Sequence, residues 1–165
     1  VAFSADLLHT VATMKTILTP VDFSAATAQV IAAAVELTKS GPSQIVILHV
    51  VQPPMVTSDY GLALENVQEI FAVSEKAASR QLKHLAEELR DQGVSARTVQ
   101  LSGGPVAGVL ETAEKVKADY IVMGSHGHTA LYDLIVGSTT HGILKKASCP
   151  VLIVPPKKKG SKKRS

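Results

Sequence analysis

The sequence predicts an α/β domain, a doubly wound five-stranded parallel sheet with helices on both faces. Three observations carry that expectation. Short aliphatic runs alternate strictly with helical patterns, in the order β-α-β-α-β-α-β-α-β. The strand runs are almost continuously apolar, as strands covered on both faces are. The 165 residues are one domain's worth and are enough to bury a core. Aromatic residues make up only 4% and tryptophan is absent, so the core must be built from Val, Ile, Leu and Ala.

Residues 1–13 have no clear pattern, and Met14-Lys15 reads as a natural start after an extension. Thr16–Val21 reads as a short buried strand. Ser24 stands where an N-cap belongs, and Ala25–Lys39 has helical composition with an apolar side of Ala28, Ile31, Ala32 and Val35. Gly41-Pro42 ends that helix. Gln44–Val51 is a β-branched strand closed by Pro53-Pro54, and the polar stretch to Tyr60 reads as a mobile loop.

A long helix is expected from about Leu64 to Gln92. Val67, Ile70, Phe71, Ala78, Leu82, Leu85 and Leu89 form its apolar stripe, and Glu75, Lys76, Lys83, Glu87 and Arg90 its solvent face. Gly93 suits the position after the last turn. Val94–Leu101 is a weaker strand. Gly104-Pro105 opens the next helix, with proline at its first position and Val106, Val109, Leu110, Ala113 and Val116 on its buried side. Tyr120–Met123 is a strand, Thr139–Ala147 a helix, and Val151–Val154 the last strand, closed by Pro155-Pro156.

The formal charge of +3 describes a tail rather than a surface. Lys157, Lys158, Lys159, Lys162, Lys163 and Arg164 lie in the last nine positions with no acid among them. Without them eleven basic residues stand against fourteen acidic ones. A body of that sign, poor in aromatics, does not read as a nucleic-acid-binding domain. The tail, residues 157–165, reads as a solvated, disordered end rather than a contact for RNA, DNA or an anionic membrane. No apolar stretch is long enough to span a bilayer; Ile31–Leu37 is interrupted by Glu36. A single cysteine, Cys149, excludes an internal disulfide, and with no secretory-type leader the expected compartment is the cytoplasm.

In doubly wound sheets ligands bind beyond the carboxyl ends of the strands. The strongest signal lies there. Gly124-Ser125-His126-Gly127 follows a strand directly, and after nine residues Gly137-Ser138-Thr139 opens a helix. Glycine permits close backbone approach, and the free N–H groups and dipole of a helix start favour an anion. Two hydroxyls add donors, so the assembly suits a polyphosphate without any lysine. Asp22, at the end of the first strand, suits a ribose or an adenine amino group, though by itself it reads as an ordinary acid at a helix start.

These residues carry a family resemblance. Met14–Asp22 resembles the opening strand of the universal stress proteins of the UspA type, and Ile47-Leu48-His49-Val50 their second strand. Ala118–Gly127 with Gly137-Ser138-Thr139 resembles the G-x2-G-x9-G-[ST] pattern of the ATP-binding branch, and Cys149–Val154 the closing strand. The resemblance runs from about Met14 to Pro156 and implies one domain over 14–156. It implies sheet order 3-2-1-4-5 in an adenine-nucleotide α-hydrolase-like fold. It also implies a pocket in which Asp22 meets adenine or ribose and Val50 offers backbone bonds to adenine. Pro20 and Met123 would line that pocket, and Gly124, Gly127, Gly137, Ser138 and Thr139 would surround ribose and phosphates. The implied ligand is ATP, with AMP, ADP or cyclic AMP as alternatives. The implied partner is a second copy through Val151–Val154, with a further protein reading the bound state.

This chain departs from the family pattern at His128, where arginine is common, at Thr139, where a small apolar residue is common, and at His141. His126, His128 and His141 lack the companions of a usual metal site, so a Mg²⁺ held through the nucleotide phosphates is the expected metal. His49 reads as a satisfied core histidine and Cys149 as a packed thiol. Ser102-Gly103-Gly104-Pro105 reads as a helix-opening turn. No residue reads as a catalyst. The expected role is a non-enzymatic regulator, with a slow ATP hydrolase or nucleotidyl transferase, or a dimerisation module with a vestigial pocket, as alternatives.

Overall fold

In the computed structural model, which describes residues 13–54, 64–125 and 137–156, five strands form one parallel sheet. The elements run β1 (Lys15–Pro20), α1 (Thr27–Thr38), β2 (Ser43–Val51), α2 (Leu64–Asp91) and β3 (Ser95–Ser102). They continue as α3 (Pro105–Lys115), β4 (Tyr120–Gly124), α4 (Ser138–Lys146) and β5 (Val151–Val154). The sheet order is β3-β2-β1-β4-β5. The Pro53–Tyr60 loop lies, from residue 55 on, outside the described residues, as do residues 1–12 and the basic tail.

Period-two alternation splits the strand side chains between two cores. Ile17, Ile45, Ile47 and Val122 point to one face, where Val30 and Ala34 of α1 and Leu82, Ala86 and Leu89 of α2 cover them. Leu18, Val46, Leu48, Ile121 and Met123 point to the other, under Val109 and Ala113 of α3 and Ile143 of α4. Ile17, Leu18, Ile45, Val46, Ile47, Leu48, Ile121 and Val122 are all at most 1% exposed, which is why these strands read as unbroken apolar runs.

Three expectations are corrected. The buried side of α1 is Thr27, Val30 and Ala34, with Ile31 and Val35 half-buried and Ala28 and Ala32 exposed. A helix this rich in alanine is apolar nearly all round, so its period does not set its phase. Ser24 does not cap α1 directly: the N-cap is Ala26, and Ser24 belongs to a turn before it, its Oγ accepting the Ala26 N–H at 3.4 Å and its carbonyl the Thr27 N–H at 3.0 Å. In α2, Ile70 is 58% exposed and leaves the apolar stripe, whereas Glu75 leaves the solvent face. The Glu75 Oε1 accepts the Ser102 hydroxyl at 2.7 Å and its carbonyl accepts Gln100 Nε2 at 3.1 Å. These bonds pin the middle of α2 to the end of β3. The N-terminal turns of α2 therefore run past the strand ends, where no sheet surface is left to bury Ile70.

Candidate functional site at the switch in strand order

The chain places β2 and then β3 on one side of β1 and β4 and then β5 on the other. The ends of β1 and β4 thus flank the point where strand order reverses. A cleft of about 730 Å³ opens there. Such a volume suits a small-molecule ligand.

From the α3/α4 side the cleft is lined by Pro20, Val50, Pro105, Met123, Gly124 and the α4 entrance from Gly137 to Thr140. From the α1/α2 side it is lined by Phe23, Thr27, His49, Ser74, Ala77 and Gln81, with Asp22 among the residues where β1 ends. Eight of the nine sequence-predicted site residues thus meet on one cleft: Pro20, Asp22, Val50, Met123, Gly124, Gly137, Ser138 and Thr139. The ninth, Gly127, lies outside the described residues, as do His126 and His128. His141 is exposed on α4 and is not among the lining residues.

The α4 entrance is held by a short relay of hydrogen bonds. Gly137 is the N-cap, in extended conformation with φ −66° and ψ 159°, and no side chain caps the helix. Its N–H donates to the Ser125 carbonyl at 2.8 Å, and the Ser125 N–H donates to the Val154 carbonyl at 3.1 Å. The Thr140 hydroxyl donates to the Gly124 carbonyl at 3.0 Å. The glycine that ends β4 and the first turn of α4 are therefore tied together. The amides of Ser138, Thr139 and Thr140 have no intrahelical acceptor, as in the first turn of any helix, and such amides favour an anion.

Across the cleft, Asp22 Oδ1 accepts the Ser24 N–H at 3.0 Å. Phe23 between them adopts φ 58°, a left-handed conformation that is costly for a bulky residue. The His49 ring lies 4.4 Å from the Phe23 ring, and its Nδ1 is 2.7 Å from the Val21 carbonyl oxygen. A carbonyl only accepts, so Nδ1 is the donor in this bond. His49 is satisfied, as its sequence position suggests, but it is half-buried and belongs to the cleft wall. Thr27, at the first turn of α1, also lines the cleft, and its Oγ1 is buried without a hydrogen-bond partner.

Sequence reasoning passed over Phe23, Thr27 and Thr140. A hydroxyl one position beyond Gly137-Ser138-Thr139 was the available signal for Thr140. Ser102-Gly103-Gly104-Pro105 is a helix-opening turn, with Gly103 at φ 134°, Gly104 the N-cap of α3 and Pro105 at its first position. Cys149 precedes β5, at the opposite edge of the sheet from the cleft. Partial burial, and secondly the Asp119 carboxylate, push its thiol up from its ordinary value, which disfavours the thiolate.

A doubly wound sheet with a cleft at the switch point and a glycine-hydroxyl helix entrance defines a class of small-ligand-binding α/β domains. The universal stress protein family model matches residues 13–155, and the chain belongs to that family. It is 34% identical over 146 residues to universal stress protein MJ0531 of Methanocaldococcus jannaschii, covering 88% of this chain and 84% of that protein. It is 31% identical over 142 residues to YxiE of Bacillus subtilis, covering 83% and 96%. The solved structure of MJ0577 superimposes with a TM-score of 0.78 at 28% identity, covering 87% of this chain and 96% of that one. No helix among the described residues is long and apolar enough to cross a membrane.

Proposed function

We propose that this chain binds an adenine nucleotide, ATP first among them, and acts as a non-enzymatic regulator whose bound state is read by a partner protein. The observation that carries the reading is the meeting of Asp22, Val50, Met123, Gly124 and the Gly137–Thr139 entrance on one cleft at the switch in strand order. The base fits between Pro20, Val50 and Met123, where the backbone of Val50 offers bonds to its edge. Asp22 accepts from the ribose or the adenine amino group. The amides and hydroxyls of Gly137, Ser138 and Thr139, with Gly124 and Gly127, hold the phosphates.

Universal stress proteins of the same fold have been solved in complex with cAMP and with dAMP, each at a TM-score of 0.58 and 20% identity. That likeness concerns the fold, and the argument for this chain rests on its own cleft. Asp22 is the one carboxylate among the described lining residues, which is too few for a protein-held metal. A Mg²⁺ ion bound with the nucleotide would take most of its oxygens from phosphates and water, and would neutralise phosphate charge. We also place the domain at 14–156, a self-pairing surface on β5, and the site of action in the cytoplasm.

The test is to denature the purified protein, identify released nucleotide by mass spectrometry, and titrate the ligand-free protein with ATP, ADP, AMP and cyclic AMP. Binding of ATP without sustained turnover is the expected result. Absence of binding at millimolar nucleotide would leave a dimerisation module, and sustained turnover would replace the regulator with a hydrolase.

A further inference from the structure

The nucleotide reading draws on the α3/α4 side of the cleft and on Asp22, and leaves the other side without an occupant. There the cleft runs between the first turns of α1 and the middle of α2. Thr27 and Val30 form one wall, and Ala77, Ala78 and Gln81 the other. Phe23 and His49 close it where β1 and β2 end, their ring centroids 4.4 Å apart. The two alanines on the α2 wall leave space that larger side chains would fill.

Three features of this side have no role in holding the fold. Thr27 is 9% exposed, and its Oγ1 is buried without a hydrogen-bond partner. A hydroxyl that loses water and gains no partner costs stability. Threonine in a helix divides between two χ1 wells, so this hydroxyl is able to turn to a ligand without moving the backbone. Phe23 adopts φ 58°, a strained conformation of the kind that gathers at binding sites. His49 is a polar ring that directly follows the fully buried apolar run Ile45–Leu48. Its Nδ1, 2.7 Å from the Val21 carbonyl oxygen, holds the imidazole against Phe23. An aromatic pair fixed in this way offers a rigid surface to a planar group. The same side supplies no fixed cation. No described lining residue of the cleft is lysine or arginine. Lys76 and Arg80, the cations of α2 nearest in sequence to its lining positions, are exposed and do not line the cleft.

We propose that the α1/α2 side of the cleft is a second binding compartment, which takes a small, uncharged, planar molecule with a carboxamide or lactam edge. The ring lies against Phe23 and His49, and the polar edge meets the Thr27 hydroxyl and the Gln81 amide. A hydroxyl and an amide each donate and accept, so their counterpart is a group that does both. A carboxylate only accepts, and it would bring a charge into a compartment whose lining holds no lysine or arginine. The inference goes beyond the nucleotide reading and does not require it.

The test titrates benzamide and its charged isostere benzoate into the full chain, followed by amide NMR shifts, first alone and then with saturating ATP. Benzamide should bind saturably and move the amides of Phe23, Thr27, Ala77 and Gln81. Benzoate should bind at least about tenfold more weakly, because its charge finds no partner in the lining. Saturating ATP should change benzamide affinity by less than about twofold, since two compartments that do not overlap couple weakly. Thr27→Val keeps the shape and removes the hydroxyl, so benzamide affinity should fall about fivefold while the melting temperature does not drop. Ala77→Leu fills the space and should abolish benzamide binding. Benzamide that fails to bind, or that moves amides elsewhere, overturns the proposal. Benzoate binding as tightly as benzamide overturns it in favour of an anion site served by Lys76 and Arg80. Displacement of benzamide by ATP overturns it in favour of one compartment filled by the nucleotide itself. A lower melting temperature in Thr27→Val with benzamide affinity unchanged shows that the hydroxyl serves the fold, which also overturns it. If ATP does not bind, the nucleotide reading falls, and the benzamide, benzoate and variant titrations decide this one.

Discussion

Thr140 joins the two halves of the glycine pattern. It is 3% exposed, and its hydroxyl spends its one proton on the Gly124 carbonyl, linking the end of β4 to the first turn of α4. Thr140→Val keeps the shape and removes that bond. A neutral hydrogen bond is worth about 1 kcal/mol net, and somewhat more when a buried carbonyl loses a partner. Urea unfolding should show a loss of about 1–2 kcal/mol, and calorimetry a several-fold weaker affinity for ATP. Unchanged ATP affinity in a protein destabilised by that amount would show that the link serves only the fold. Gly124, Gly137, Ser138 and Thr139 were legible in the sequence because their chemistry is stated by residue type and by position after a strand. Thr140, Thr27 and Phe23 were not. Thr140 acts on a carbonyl sixteen residues earlier, Thr27 sits on a helix whose phase was ambiguous, and Phe23 reaches the cleft through a left-handed backbone that no phenylalanine announces.

The two helices on that side of the cleft, α3 and α4, approach closely where Gly142 meets Val106. A Cβ built on Gly142 of α4 would lie 2.9 Å and 3.2 Å from the two methyl carbons of Val106 in α3. Valine is stiff at χ1 in a helix, so the overlap must be relieved by moving a helix. Gly142→Ala gains up to about 1 kcal/mol of helix propensity and loses about 1–3 kcal/mol to overpacking, so thermal unfolding should show a net destabilisation. In a Val106→Ala background the clash is absent, and the same substitution should become stabilising by about 0.5–1 kcal/mol. A destabilisation of equal size in both backgrounds would mean that α3 and α4 do not pack here as described. Element identity was legible wherever composition was one-sided: the β-branched run of β2, the proline-led start of α3 and the glycine after α2 all stand where expected. Phase was less so. Alanine all round α1 hid its buried side, and the projection of α2 past the strand ends left Ile70 outside the stripe its spacing suggested.

Strict alternation of strands and helices announces a doubly wound sheet, but it does not say where the chain turns back; the order β3-β2-β1-β4-β5 was legible through the family resemblance alone. That order leaves β5 at an edge, and among the described residues β4 is its one strand neighbour. Its four residues are all apolar, and Leu152 is 42% exposed. Solitary edge strands are normally protected by charge, bulge or cover; here Pro150 and Pro155 flank the strand, and its own four residues carry no charge. A second copy is the natural cover for the proposed self-pairing surface. Two copies of one strand related by a two-fold axis pair antiparallel and bury the same side chains reciprocally. Leu152→Lys puts a charge into that contact and leaves the single chain's cores untouched, so its own stability should shift by less than about 0.5 kcal/mol. Sedimentation equilibrium should report twice the chain mass for the unaltered protein and the single-chain mass for the variant, with matching circular dichroism spectra. A variant that still sediments as a dimer would move the contact away from β5. An unaltered protein that sediments as a single chain at tens of micromolar would show that short length and flanking prolines suffice to keep the edge unpaired.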